Sequence, residues 1–142
     1  MIDNKQETDE GGTQPIGNQQ AAVRRSAPAK VYKEGNYIFR DGESGQEAFI
    51  LKSGKVEIFK IITRDGRTEE NSLAILSVGT MFGEMALIDD KPRMASARAY
   101  GGPVTVMCID QQQFRKMLEP VNPFIKKLLS ILADHVRGAS KL

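Results

Sequence analysis

Tryptophan is absent from the sequence, cysteine and histidine occur once each, and aromatic residues make up only 6% of the 142. One cysteine excludes an internal disulfide, and Cys108, set in the apolar run 104–109, reads as a small buried hydrophobe rather than a reactive thiol. One imidazole, His135, leaves a catalytic metal centre of two or three histidines without ligands, so no metal is expected and His135 reads as a helix-end cation. Charge of one sign is equally scarce: basic and acidic residues are mixed along the chain and sum to +2. Without a dense positive stripe, nucleic acid is not the expected partner. No apolar run approaches bilayer-spanning length, and the opening MIDNKQETDE is acidic where a secretory leader needs a basic end and then an apolar core. A membrane is therefore not an expected partner either, and the cytoplasm is the expected location. The carboxylate pairs Asp89–Asp90 and Glu69–Glu70 have no nucleophile or base beside them and read as solvated, which argues against an enzyme.

What remains is the composition of an ordinary soluble domain, 40% hydrophobic and 27% charged, with room for one core. Residues 1–28 hold few sizeable apolar side chains and are expected to form a disordered tail, because they cannot offset their ordering entropy. Past Pro28 the texture changes to short β-branched and aromatic runs broken by glycines, the punctuation of an antiparallel β domain. Strands are predicted over 31–33, 37–40, 48–52, 56–63, 72–78, 94–100 and 104–109, with 64–71 as a solvated hairpin connection. Their number and spacing suggest a barrel or jelly roll. From Asp110 the period becomes helical: Asp110 caps, Gln113 completes a capping box, and Phe114, Met117 and Leu118 share one face. The tract 111–113 otherwise reads as trivial low complexity. A second helix begins at Asn122 with Pro123 in its first turn, and its stripe of Phe124, Ile125, Leu128, Leu129, Leu132 and Val136 must bury against something. The division expected is therefore a tail, 1–28, and one domain, 29–142, with a β-roll over 29–109 and C-terminal helices over 110–137.

The informative segment is FGEMALIDDKPRMASARA, residues 82–99. It closely resembles the phosphate-binding cassette of cyclic-nucleotide-binding domains: F-G-E, an apolar residue, A-L, a short loop, P-R, and a strand rich in small residues. The order of strands and then two helices is similar to the same family, so the resemblance covers about residues 29–137. It implies a mainly β fold with flanking helices: an antiparallel β-roll, or jelly roll, with a short cassette helix and two C-terminal helices. It implies a non-catalytic receptor whose ligand is cAMP or cGMP and which needs no other cofactor. A cyclic nucleotide presents one anion, one ribose hydroxyl and one flat base. Gly83 lets the backbone approach closely, and a helical turn at 84–87 would aim the N–H groups of Met85 and Ala86 at the anion. Arg93 supplies a planar fork for the two exocyclic oxygens, which lysine could not copy. Glu84, an acceptor, suits the ribose 2′-hydroxyl, the role the resemblance assigns it. Alternation then places Ala95, Ala97 and Ala99 on one face, where small side chains leave space for ligand. Phe82, Leu87 and Ile88 read as core packing that supports the site without touching it.

Guanine-preferring relatives often place threonine after the arginine. Met94 has only a weak thioether acceptor there, which favours cAMP, with Ser96 or a backbone group left as alternative partners for guanine. In this family the second C-terminal helix commonly closes over the base or pairs with a symmetry mate, which implies a relay through helix rearrangement and a homodimer or effector contact there. A regulator of the activator type would carry a helix-turn-helix after that helix, and the chain stops at Leu142. The competing reading keeps the fold but uses it as a protein-interaction module without nucleotide. Arg24–Arg25–Ser26–Ala27 looks like the dibasic substrate or pseudosubstrate sequence of kinase regulatory subunits, or is simply solvated charge.

Overall fold

The computed structural model describes residues 28–139. The expected tail and Arg24–Arg25–Ser26–Ala27 lie outside the described residues, apart from Pro28. Six strands, β1 (Ala29–Tyr32), β2 (Tyr37–Phe39), β3 (Glu47–Arg64), β4 (Arg67–Leu76), β5 (Met81–Phe82) and β6 (Ser96–Asp110), form one antiparallel sheet. Its order is β1-β6-β3-β4, with β2 added to β6 and β5 to β3. Three helices complete the fold: α1 (Met85–Ile88), α2 (Gln111–Leu118) and α3 (Pro123–Ala139). This is the β-roll with flanking helices that the sequence implies.

Two predicted breaks are not breaks. Residues 48–52 and 56–63 belong to one 18-residue strand, β3, and 96–100 and 104–109 to one 15-residue strand, β6, which leaves Met94 and Ala95 outside it. The two pair from Glu47↔Asp110 to Phe59↔Ser96, with register shifts between Leu51 and Lys55, around Gly54. Glycines that read as strand ends are bulges that bend a ladder without ending it. The connection expected over 64–71 also shrinks. Arg64 pairs with Arg67 across a two-residue turn at Asp65 and Gly66, whose φ values of 50° and 76° fit a tight hairpin of primed type. Arg67–Asn71 are strand; they look like loop in sequence because β4 is the exposed edge of the sheet, where charged residues are favoured. Arg98 on β6 fastens that edge, bonding Glu57 of β3 at 2.8 Å and both carboxylate oxygens of Glu70 on β4 at 2.9 and 3.0 Å.

Side-chain alternation at the β3–β6 pairing builds two cores. Phe49 and Cys108, opposite one another, point into the roll with Leu51, Val56, Phe82, Ala97, Ala99, Val104 and Val106. Ala48 and Ile109, the next pair, point to the other face, where Leu87 of α1 and Phe114 of α2 cover them. Phe39, Phe49 and Phe82 pack ring against ring, with Phe49 and Phe82 centroids 5.4 Å apart.

The capping box at α2 is complete. The Asp110 carboxylate accepts from the Gln113 N–H at 2.7 Å, and the Gln113 side chain accepts from the Asp110 N–H at 3.0 Å. Asp110→Ala should cost about 1 kcal/mol and lower the melting temperature by about 4 °C, whereas Asp110→Asn should retain most of the cap. Superimposable melts for the alanine variant and the parent would refute this. Met117 does not share the buried face of Phe114; it is exposed. The α3 stripe is not buried against the domain either: Phe124, Ile125, Leu128, Leu132 and Val136 are exposed and Leu129 is half-buried.

Candidate functional site

The chain leaves β5 at Phe82 and turns through Gly83, whose φ of 69° is a conformation L side chains rarely adopt. A Cβ there would stand 2.8 Å from Nη1 of Arg93 and 3.1 Å from the Phe39 ring, so glycine is required by space as well as by conformation. The single turn of α1 follows. The Leu87 N–H donates to the Glu84 carbonyl at 3.0 Å and the Ala86 N–H to the Gly83 carbonyl at 3.3 Å. The Ala86 amide is thus not wholly free, as the sequence suggested; its bond is long and near the limit of useful geometry.

Arg93 is the centre of the site. It is 9% exposed, and its guanidinium donates from Nη1 to the Gly83 carbonyl at 3.1 Å and from Nη2 to the Glu47 carbonyl at 2.9 Å. Its Cζ lies 4.3 Å from the centre of the Phe39 ring. Backbone bonds fix the residue to the β2–β3 loop: the Arg93 N–H donates to the Glu43 carbonyl at 2.9 Å and the Gly42 N–H donates to the Arg93 carbonyl at 2.8 Å. Burial pushes the guanidinium pKa down, and the charges of Glu47 and Glu43 only partly restore it. The group remains a cation. Among the described residues no carboxylate forms an ion pair with it.

All seven residues singled out in the sequence, Gly83, Glu84, Met85, Ala86, Arg93, Met94 and Ala95, line one pocket of about 270 Å³. Glu84 is exposed there, Met85, Met94 and Ala95 half-buried, and Ala86 buried. Ala97 and Ala99 do not join them. Strand β6 begins only at Ser96, so alternation does not extend back to Ala95, and the two alanines are 0% and 2% exposed in the core of the roll. Phe82, expected only to support the site, both packs in the core and lines the pocket, whereas Leu87 and Ile88 belong to the second core.

Sequence reasoning missed the opposite wall, made by Phe39, Ile58, Leu76 and Met81. These come from β2, β3, β4 and β5, and only the sheet register brings them together. It also missed a basic side, Lys91 and Arg137. Of the carboxylate pair expected to be solvated, Asp90 is exposed and Asp89 is half-buried. Asp89 accepts from Nε and Nη2 of Arg137, both at 2.7 Å, and Asp90 accepts from Nε2 of Gln111 at 3.1 Å. Gln111 is buried, bonds the Ala86 carbonyl at 3.2 Å as well, and so holds the cassette from the α2 side. Burial raises the Asp89 pKa, but the Arg137 bond, the Lys91 N–H and both positive charges outweigh it and leave the carboxyl below its ordinary range.

The family described as cyclic nucleotide-binding domain matches residues 29–120, more than half of the chain. The chain is 37% identical over 87 residues to cGMP-dependent protein kinase egl-4 of Caenorhabditis briggsae, covering 61% of this chain and 11% of that protein. It is 32% identical over 97 residues to the cAMP-dependent protein kinase regulatory subunit of Blastocladiella emersonii, covering 68% and 23%. Among solved structures it is similar to the EAL enzyme Bd1971 in its cAMP bound form, with TM-score 0.68, 33% identity, and coverage of 79% of this chain and 29% of that one. The chain thus spans less than a quarter of the length of the two curated relatives. On the family match, and on a cassette folded around a buried arginine, this chain belongs to the cyclic nucleotide-binding domain family.

Proposed function

We propose that the chain is a non-catalytic cyclic-nucleotide receptor that prefers cAMP, with the phosphate on Arg93 and the Gly83–Ala86 backbone and the ribose 2′-hydroxyl on Glu84. The base rests against Ile58, Leu76 and Met81. The observation that carries the reading is the buried Arg93 cation: it lines the pocket and, among the described residues, bonds carbonyls and forms no ion pair with a carboxylate. A desolvated cation in that state is stabilised by an anion entering the pocket. The preference for cAMP rests on Met94, which lines the pocket and offers guanine no strong partner. Ser96 does not substitute: it is buried, does not line the pocket, and its hydroxyl accepts from the Asp41 N–H at 2.9 Å. Ligand capture then relays to α3, whose exposed stripe meets a second copy or an effector in the cytoplasm.

Calorimetric titration with cAMP and cGMP tests this: both should bind, cAMP more tightly. Glu84→Gln should weaken cAMP about tenfold, the difference between a charged and a neutral acceptor, while changing the affinity for 2′-deoxy-cAMP much less. Equal losses for both ligands would remove the assignment of Glu84 to the hydroxyl. A second reading, an interaction module indifferent to nucleotide, draws on the exposed α3 stripe. It would stand if neither nucleotide gave heat.

A further inference from the structure

Helix α3 is tied to the domain at one end. Of its 17 residues only Ala133 and Arg137 are buried, both in the last two turns, and the helix meets the rest of the fold chiefly at α1. The tie is ionic. Arg137 grips both carboxylate oxygens of Asp89 at 2.7 Å and donates from Nη1 to the Pro92 carbonyl at 2.9 Å. Asp134, three residues back on α3, lies 3.4 Å from Lys91, but that pair is exposed on both sides and contributes little. The Asp89–Arg137 pair is two parallel, partly buried bonds, the stronger kind.

The carbonyl that Arg137 holds belongs to the peptide joining Pro92 to Arg93. On its other side Arg93 is held by Glu43 and Gly42. Loop 89–93 is therefore clamped between α3 and the β2–β3 loop, with the pocket's guanidinium at the end of the clamp. Any shift of the loop on anion capture acts on Arg137 directly. We infer that the Asp89–Arg137 pair is a clasp through which pocket occupancy and attachment of α3 depend on each other, Arg137 serving as the positioning residue for Arg93. The inference rests on the nucleotide-binding reading above. Because coupling between two sites is reciprocal, attachment of α3 raises ligand affinity by the same factor by which ligand tightens that attachment, and cutting the clasp removes both gains.

Asp89→Asn is the variant that decides, because Asp89 does not line the pocket whereas Arg137 does. Asp89 also accepts from the Lys91 N–H at 3.2 Å, a bond that the amide oxygen of asparagine can keep, so an effect of Asp89→Asn on binding is assigned to Arg137. In the parent, saturating cAMP should slow amide exchange both at 82–97 and along 123–139. In Asp89→Asn, protection at 82–97 should persist, ligand-dependent protection of α3 should vanish, and the Kd should rise about fivefold or more, the usual lower bound for such coupling. The reversed pair, Asp89→Arg with Arg137→Asp, should recover part of both. If Asp89→Asn shows fast exchange throughout β3 and β6, it has not folded; Arg137→Lys, which keeps the charge and loses the fork, is then judged by the same α3 readout. Binding by the parent with undiminished α3 protection in the variant overturns the clasp alone. A parent that takes up neither nucleotide overturns the binding reading and the clasp with it.

Discussion

Arg93→Leu should lower the affinity for cAMP by at least about 100-fold, since two charge-assisted hydrogen bonds of roughly 1.5 to 3 kcal/mol each are lost together. Leucine keeps an apolar side chain at this position and removes the fork, whose Cζ lies over the Phe39 ring. The loss is not confined to the ligand. Without the guanidinium, the carbonyls of Gly83 and Glu47 lose their donors, so the ligand-free variant should also melt earlier than the parent. Arg93→Lys separates the two effects. An ammonium keeps the charge, but it cannot span the Gly83 and Glu47 carbonyls while also presenting two parallel donors to a phosphate. Its affinity should fall between those of the parent and the leucine variant. Titration calorimetry with cAMP, paired with melts of the unliganded proteins, measures both quantities. A leucine variant whose Kd stayed within about threefold of the parent's would leave the pocket without its anion site, because a threefold change is well below the value of one charge-assisted bond.

How much of this was legible in sequence depended on distance along the chain. The cassette is local: Gly83 to Ala95 span 13 consecutive positions, so their pattern survives without knowledge of the fold, and the structure gathers them around one pocket. The capping box at Asp110 and Gln113 is local too and formed as expected. What the sequence concealed is long-range or depends on which side of a strand is covered. Ile58, Leu76 and Met81 reach the pocket only through the pairing of β3 with β4 and β5. Ala97 and Ala99 have the small side chains of a ligand-facing wall, but the same smallness lets strands approach inside a crowded roll, and only the point where β6 begins decides between the two. Gly54 lies within a bulge, which glycine composition alone does not distinguish from a loop. Asp89 finds its partner 48 residues away. In sequence it sits among Asp90, Lys91 and Pro92 and looks like any solvated turn. At α3 the apolar stripe was legible but its cover was not: it was expected to bury against something, and the domain itself leaves it exposed.

Gly45→Ala carries the second large effect, at a residue whose only apparent role in the sequence is to punctuate a loop. A Cβ on Gly45 would stand 2.5 Å from Nη2, 2.7 Å from Nε and 2.9 Å from Cζ of Arg93, closer than real carbon contacts allow. Either the guanidinium or the loop must give way. The loop is poorly placed to do so, because Gly42 and Glu43 hold the Arg93 backbone with bonds of 2.8 and 2.9 Å that would break if it retreated. The fork therefore leaves its seat on the Gly83 and Glu47 carbonyls, and affinity for cAMP should fall at least about tenfold, the value of roughly one hydrogen bond to a charged group. Gly42→Ala, three residues earlier, provides the contrast. Its φ is 85°, and an added Cβ meets nothing within 4 Å, so alanine there strains the backbone without touching the arginine. That variant should lose about 1 to 2 kcal/mol of stability and bind cAMP nearly as well as the parent once folded. Both variants should thus melt earlier than the parent, since Gly45→Ala also strips the Gly83 and Glu47 carbonyls of their donors, but titrations should separate them, with Gly45→Ala by far the weaker binder. If Gly45→Ala bound as tightly as the parent, Arg93 would have to reach the ligand from some other position, and the geometry assigned to the pocket would fail with it.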